Sequence, residues 1–131
     1  MARTRPCEAT VRAGRLAKAT QFATAASVVF DLAEDARDVA DAYVTLCVHA
    51  GIAAADAVCC ARLGEHSLGD NHHEAVALLD KVDNQLAKHL RTLLELKTRA
   101  GYSHTRTSDE SVRRAGRAMD ALVFAAQRTS T

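Results

Sequence analysis

Tryptophan is absent from this chain of 131 residues, and aromatic residues of all kinds make up only 4% of it. That scarcity argues against a stacking platform of the kind that holds single-stranded nucleic acid without sequence preference. Proline occurs once and glycine six times, so little interrupts helices. β-Branched runs are scarce and alanine is abundant, which together point to an all-α protein. No glycine-rich phosphate loop, nucleophile elbow or H-E-x-x-H segment is present. Nor do Cys7, Cys47, Cys59 and Cys60 look like a disulfide framework, because Cys59 and Cys60 are neighbours that cannot readily pair with each other in a helix. Buried thiols of this kind suggest a reducing cytoplasm.

What the chain does have is 48% hydrophobic and 25% charged residues, a globular balance in a length that suits one domain. The stretch Val39–Gly64, VADAYVTLCVHAGIAAADAVCCARLG, organises it. Ala40, Tyr43, Cys47, Ala50, Ala54, Ala57 and Ala61 recur at steps of three and four, one face of a helix. Val44, Val48, Ala55 and Val58 make the adjoining face apolar too, so the helix is expected to be buried on most sides. The run is long enough to cross a membrane, but His49 and Asp56 within it argue for a soluble core helix and no membrane contact. His49 and Asp56 lie seven apart on one face and read as a buried polar pair with another helix, or His49 as a satisfied core histidine.

Around that helix the pattern gives a four-helix bundle over residues 9–128, preceded by a flexible tail, residues 1–8, which is basic but leads into no apolar signal core. Leu16, Ala19, Ala23, Ala26, Phe30 and Ala33 predict helix one over about Ala9–Ala33. A continuous helix over residues 9–63 would be roughly 80 Å long, so a turn is expected near Glu34–Asp38. Gly64 suits a C-cap. The polar segment GEHSLGDNHH reads as a loop, with Asp70 or Asn71 capping helix three. Helix three carries Ala75, Leu79, Val82, Leu86, Leu90 and Leu93 on its core stripe, with Gly101 as its C-cap. Thr107 and Glu110 form a capping box for helix four, whose core stripe is Val112, Ala115, Met119, Leu122, Val123 and Ala126.

The net charge of +1 conceals polarity. Arg3, Arg5, Arg12, Arg15 and Lys18 against Glu8 give residues 1–18 a local charge of +4. Six acids against Arg37 give residues 31–56 a charge of −5. Lys97, Arg99, Arg106, Arg113, Arg114 and Arg117 against Asp109 and Glu110 return residues 97–117 to +4. Two basic regions around an acidic one suit a polyanion partner, or are simply solvated helix faces. A zinc reading of Cys59, Cys60, His66, His72 and His73 fits no common ligand spacing. No metal and no cofactor are expected.

Residues 93–126, LLELKTRAGYSHTRTSDESVRRAGRAMDALVFAA, resemble the end of a HEPN domain. In that family a long helix ends in a basic residue, followed by an Ala-x-Tyr corner and a polar turn into an Ala-rich last helix. Lys97 and Arg99, Ala100-Gly101-Tyr102 and Ser103–Ser108 are the matching parts, and the Ala-rich second helix adds to the likeness. Many members are metal-independent ribonucleases or toxins that use an Arg followed, after four to six residues, by a His. The resemblance therefore implies Arg99 and His104 as a catalytic pair, with Lys97, Arg106, Arg113, Arg114 and Arg117 binding RNA. It also implies a homodimer, with a cognate antitoxin or another protein as a further partner. Independently, Val44, Val48 and Val58 lie off the main seam of helix two, as an interface between two copies would require. Two other readings stand beside this one. Arg99 pairs with Glu95 at i,i+4 while His104 is an ordinary loop residue, and Tyr102 anchors the corner by packing on the bundle. The chain as a whole is then a non-catalytic interaction or nucleotide-binding module that works by dimerisation.

Overall fold

The computed structural model describes residues 3–68 and 71–129. The order of elements is β1 (Thr4–Pro6), α1 (Ala9–Leu32), a single 3-10 turn (Ala36–Val39), α2 (Ala40–Leu63), β2 (Glu65–Ser67), α3 (His72–Asp80), α4 (Asn84–Tyr102) and α5 (Asp109–Thr129). The class is all-α, with five α-helices and one two-stranded antiparallel ribbon among the described residues.

α2 is the central helix. Its 24 residues span about 36 Å, and α1, α4 and α5 all lie against it. Ala40, Val44, Cys47, Val48, Ala50, Ala54, Ala57 and Val58 are each at most 2% exposed. The off-seam valines are thus already covered by the chain's own helices, and the surplus apolar face inferred from them does not exist. Gly51 marks the tightest crossing, because a Cβ there would collide with Leu93 on α4 and press on Leu122 of α5. Within Ala36–Leu63 an 18-residue window has a mean hydropathy of 1.7, enough in length and composition to cross a membrane, yet 67% of that window is buried inside the protein. That is the signature of a core helix.

The links between helices have identifiable causes. Asp35 caps the 3-10 turn between α1 and α2: its carboxylate accepts the Arg37 backbone N–H at 2.9 Å and grips the Arg37 guanidinium, within the stretch where the length argument requires a turn. α2 stops at Gly64, whose φ of 73° is the left-handed C-cap conformation and whose N–H reaches the Cys60 carbonyl. Asn71 caps α3 by accepting the Glu74 N–H; Asp70, the other expected cap, lies outside the described residues. The expected third helix is in fact two. Lys81–Asp83 form a turn, and the Asp83 carboxylate accepts the N–H groups of Gln85 and Leu86 to start α4. Leu86, next to this break, is only half-buried, whereas Leu90 and Leu93 are fully buried.

The N-terminal segment also departs from expectation. Residues 4–6 are not a frayed tail but pair with residues 65–67, Arg5 opposite His66. The Cys7 N–H donates to the Gly64 carbonyl, and this places Cys7 against the end of α2, where it forms a disulfide with Cys60. Two of the four cysteines are therefore bonded, and the inference of a reducing compartment from free thiols loses its ground. The remaining two, Cys47 and Cys59, are buried, and burial pushes both thiols up to about 12, so neither is a ready nucleophile.

Candidate nucleic-acid interface

The basic residues singled out above lie in the last turns of α4, in the loop that follows and in the first turns of α5, and that loop is fixed from below. Thr107 has no exposed surface. Its backbone N–H and its hydroxyl both donate to Oδ1 of Asp41, at 3.0 and 2.6 Å. Asp41 stands in the first turn of α2, so the loop 103–108 is tied to the central helix. Thr107 is accordingly not the capping residue it resembles. Ser108 caps α5 by accepting the Ser111 N–H. Upstream, the Ser103 hydroxyl accepts the Thr105 N–H, which braces the short loop around His104.

Arg99 lies in the last turn of α4, exposed, where its charge favours the negative helix end. Its carbonyl accepts the Ser103 N–H. His104 is exposed in the loop. Among the described residues neither side chain has a hydrogen bond or ion pair, and the expected Glu95–Arg99 bridge is not formed. Lys97, two residues earlier on α4, is half-buried. Arg106 is spoken for: it donates to the Thr107 carbonyl and to Asp109 Oδ1, both at 3.3 Å. On α5, Arg113 and Arg117 are exposed and share one face at i,i+4, while Arg114 is half-buried. Arg113 borders a depression with Asp35, Arg37 and Asp109, a mixed neighbourhood rather than a purely basic one. Arg37 holds the Asp35 carboxylate down to about 2 through hydrogen bonds. Among the described residues Lys97, Arg99 and His104 thus have no hydrogen bond or ion pair, Arg106 and Arg113 are mingled with acids, and Arg114 and Arg117 lie farther along α5.

Tyr102 is not a packed anchor. It is 82% exposed and forms one wall of a depression lined by Thr45, Val48, His49, Lys97 and Gly101. His49 is not a core histidine either. It is exposed and its ring lies 5.5 Å from that of Phe22. Nor does it pair with Asp56, which instead receives Arg15 at 2.9 Å. Burial raises the Asp56 pKa, and Arg15 and His66 oppose that rise. Of the zinc candidates, Cys60 is in the disulfide and the His66 ring nitrogen Nδ1 lies 2.8 Å from the Ser67 carbonyl. No three metal-ligating side chains gather among the described residues.

Sequence reasoning missed the Asp41–Thr107 tie and the Tyr102 depression. The one available signal for the first was an acid in the opening turn of an otherwise apolar helix. The chain matches no protein-family model, and it has no significant match among curated proteins.

Proposed function

We propose that this protein is a HEPN-like, metal-independent RNA-binding and RNA-cleaving protein of the toxin or defence kind, acting as a homodimer. In this reading α1, α2, α4 and α5 are the four long helices of the bundle, and α3 is an insertion at the start of the third. One observation carries the proposal: Arg99 and His104 both stand exposed and unpartnered on a corner that is itself pinned to the core through Thr107 and Asp41.

The chemistry follows from the residue types. The His104 imidazole takes the proton from a ribose 2′-hydroxyl, and imidazole is the side chain suited to exchanging protons near neutral pH. The 2′-oxygen attacks the adjacent phosphorus, the bond to the 5′-oxygen breaks, and a 2′,3′-cyclic phosphate results. The leaving oxygen takes its proton from the imidazolium of the second copy. Arg99 binds the phosphate and stabilises the charge that grows on it. Lys97, Arg113, Arg114 and Arg117 hold the strand by phosphate contacts, and Arg106 joins them only by sharing its bond to Asp109. Incubation of the pure protein with mixed RNA in EDTA, with analysis of the product ends, tests this. Cyclic phosphate ends are the expected result; RNA that stays intact and unbound at low salt would falsify the proposal.

A second reading, a non-catalytic module that docks a protein partner such as an antitoxin, is favoured by the end of α1. There Val28 and Leu32, one turn apart on one face, are 50% and 80% exposed, and exposed apolar groups in one place mark interaction surfaces.

A further inference from the structure

The depression beside Tyr102 is separate from the Arg99–His104 pair and has its own chemistry. Its walls come from the middle of α2 (Thr45, Val48, His49) and from the last turns of α4 (Lys97, Gly101, Tyr102). Its volume is about 230 Å³, below the roughly 300–1,000 Å³ of clefts that hold drug-sized ligands and suited to a smaller group. The floor is Val48, which is 1% exposed. Two π-systems flank it: Tyr102, almost wholly uncovered, and His49, backed by the Phe22 ring. Thr45, His49 and Tyr102 bring polar atoms that hydrogen-bond in either sense. Lys97 brings the only full charge, and no carboxylate lines the space. A Cβ at Gly101 meets nothing within 4 Å, so a side chain there has room beside the depression. The low aromatic content of the chain is thus offset by placement, with one of its two tyrosines exposed at the corner that binds the strand.

A flat ligand with a π-face, hydrogen-bonding edges and a negative charge at one end fits these walls. We infer that the depression holds a nucleobase of the bound RNA, stacked on Tyr102 and read by Thr45 and His49, with its phosphate on Lys97. The inference rests on the RNA reading above and adds a subsite to it. A base held here is fixed in position relative to the scissile phosphate at Arg99 and His104, so cleavage acquires a preference for the nucleotide beside the cut.

The test compares a short oligouridylate and oligoadenylate with an abasic ribose-phosphate strand of equal length. Stacking of one base on an aromatic side chain predicts about 5- to 150-fold tighter binding of a base-bearing strand. Gly101→Leu fills the depression without meeting a neighbour at Cβ, and leucine favours a helix more than glycine does, so the variant should melt no lower than the wild type. It should lose the discrimination between base-bearing and abasic strands while keeping the salt dependence of binding. Tyr102→Ala should behave likewise. Equal affinity for both strands in the wild type, or full discrimination in Gly101→Leu, overturns the inference and leaves the RNA reading intact. Should neither strand bind, the RNA reading falls. The depression is then judged by titrating uridine and adenosine monophosphates against the Gly101 amide and Tyr102 ring resonances. Shifts in the wild type that are absent in Gly101→Leu sustain the subsite, and unmoved resonances at millimolar nucleotide refute it.

Discussion

Removing the carboxylate of Asp41 should loosen the α4–α5 corner. In the structure, Oδ1 of Asp41 accepts both the N–H and the hydroxyl of Thr107, and Thr107 is 0% exposed. Hydrogen bonds to a charged group contribute about 1.5–3 kcal/mol each, and a buried donor left without a partner costs about 1–3 kcal/mol. The two donors share one acceptor atom, so the contributions do not simply add. Asp41→Ala is expected to cost about 2–4 kcal/mol. Thr107→Val keeps the backbone bond and loses only the hydroxyl, at about 1–2 kcal/mol. A double-mutant cycle should then show coupling of at least about 1 kcal/mol. Urea unfolding gives the stabilities, and an unchanged m-value would show that the denatured state is not the cause. Hydrogen exchange reads the local effect: the Thr107 amide should lose protection in Asp41→Ala beyond the global loss. An Asp41→Ala stability within about 0.5 kcal/mol of the wild type, with the amide still protected, would refute the claim that this tie holds the loop in place.

Other outcomes follow from the same structure. Gly51→Ala should destabilise by about 1–3 kcal/mol through overpacking against Leu93, whereas Gly101→Ala should be neutral or stabilising by up to about 1 kcal/mol, as thermal melts will show. Reducing the Cys7–Cys60 bond, which joins residues 53 apart, should cost up to about 4 kcal/mol on the chain-entropy account, measured by unfolding with and without dithiothreitol against a Cys7→Ser control. The Asp56 pKa is raised above its ordinary 3.8, so the folded state keeps a proton that the unfolded state has lost. This stabilisation is complete below pH 3.8 and is lost as pH rises through the folded value; Asp56→Asn should remove that fall from the stability–pH curve.

Much of the fold was legible because periodicity reports burial. Every position of the stripe Val112, Ala115, Met119, Leu122, Val123 and Ala126 is buried, and Gly64 ends α2 where a left-handed residue is needed. Where the pattern misled, the reasons are physical. The apolar stripe from Ala75 to Leu93 keeps its period across the Lys81–Asp83 turn because α3 and α4 face the same core, so periodicity could not show the break; Asp83, a good N-cap, was its only sign. Off-seam valines on α2 suggested a second copy, but an intramolecular helix covers such a face equally well. The disulfide depended on a strand pairing that brings Cys7 back to Cys60, and connectivity of that kind is not written in spacing. At the corner, sequence read Arg99 as a surface residue at a helix end and His104 as a loop residue, and both are exposed. It could not see that Arg106 is taken up by Asp109, or that Tyr102 faces solvent, since both depend on the path of the loop.

The central claim is that the α4–α5 corner performs chemistry on RNA, and its most direct test is the single-turnover cleavage rate of His104→Ala in EDTA, with binding measured in parallel. Binding should stay nearly intact while the rate falls by about 10²–10⁴, the contribution of a general acid or base. Arg114→Ala serves as the contrast: it should weaken binding and reduce the salt dependence by the share of one phosphate contact, a slope of about 0.7. Cleavage by His104→Ala at the wild-type rate would contradict the account.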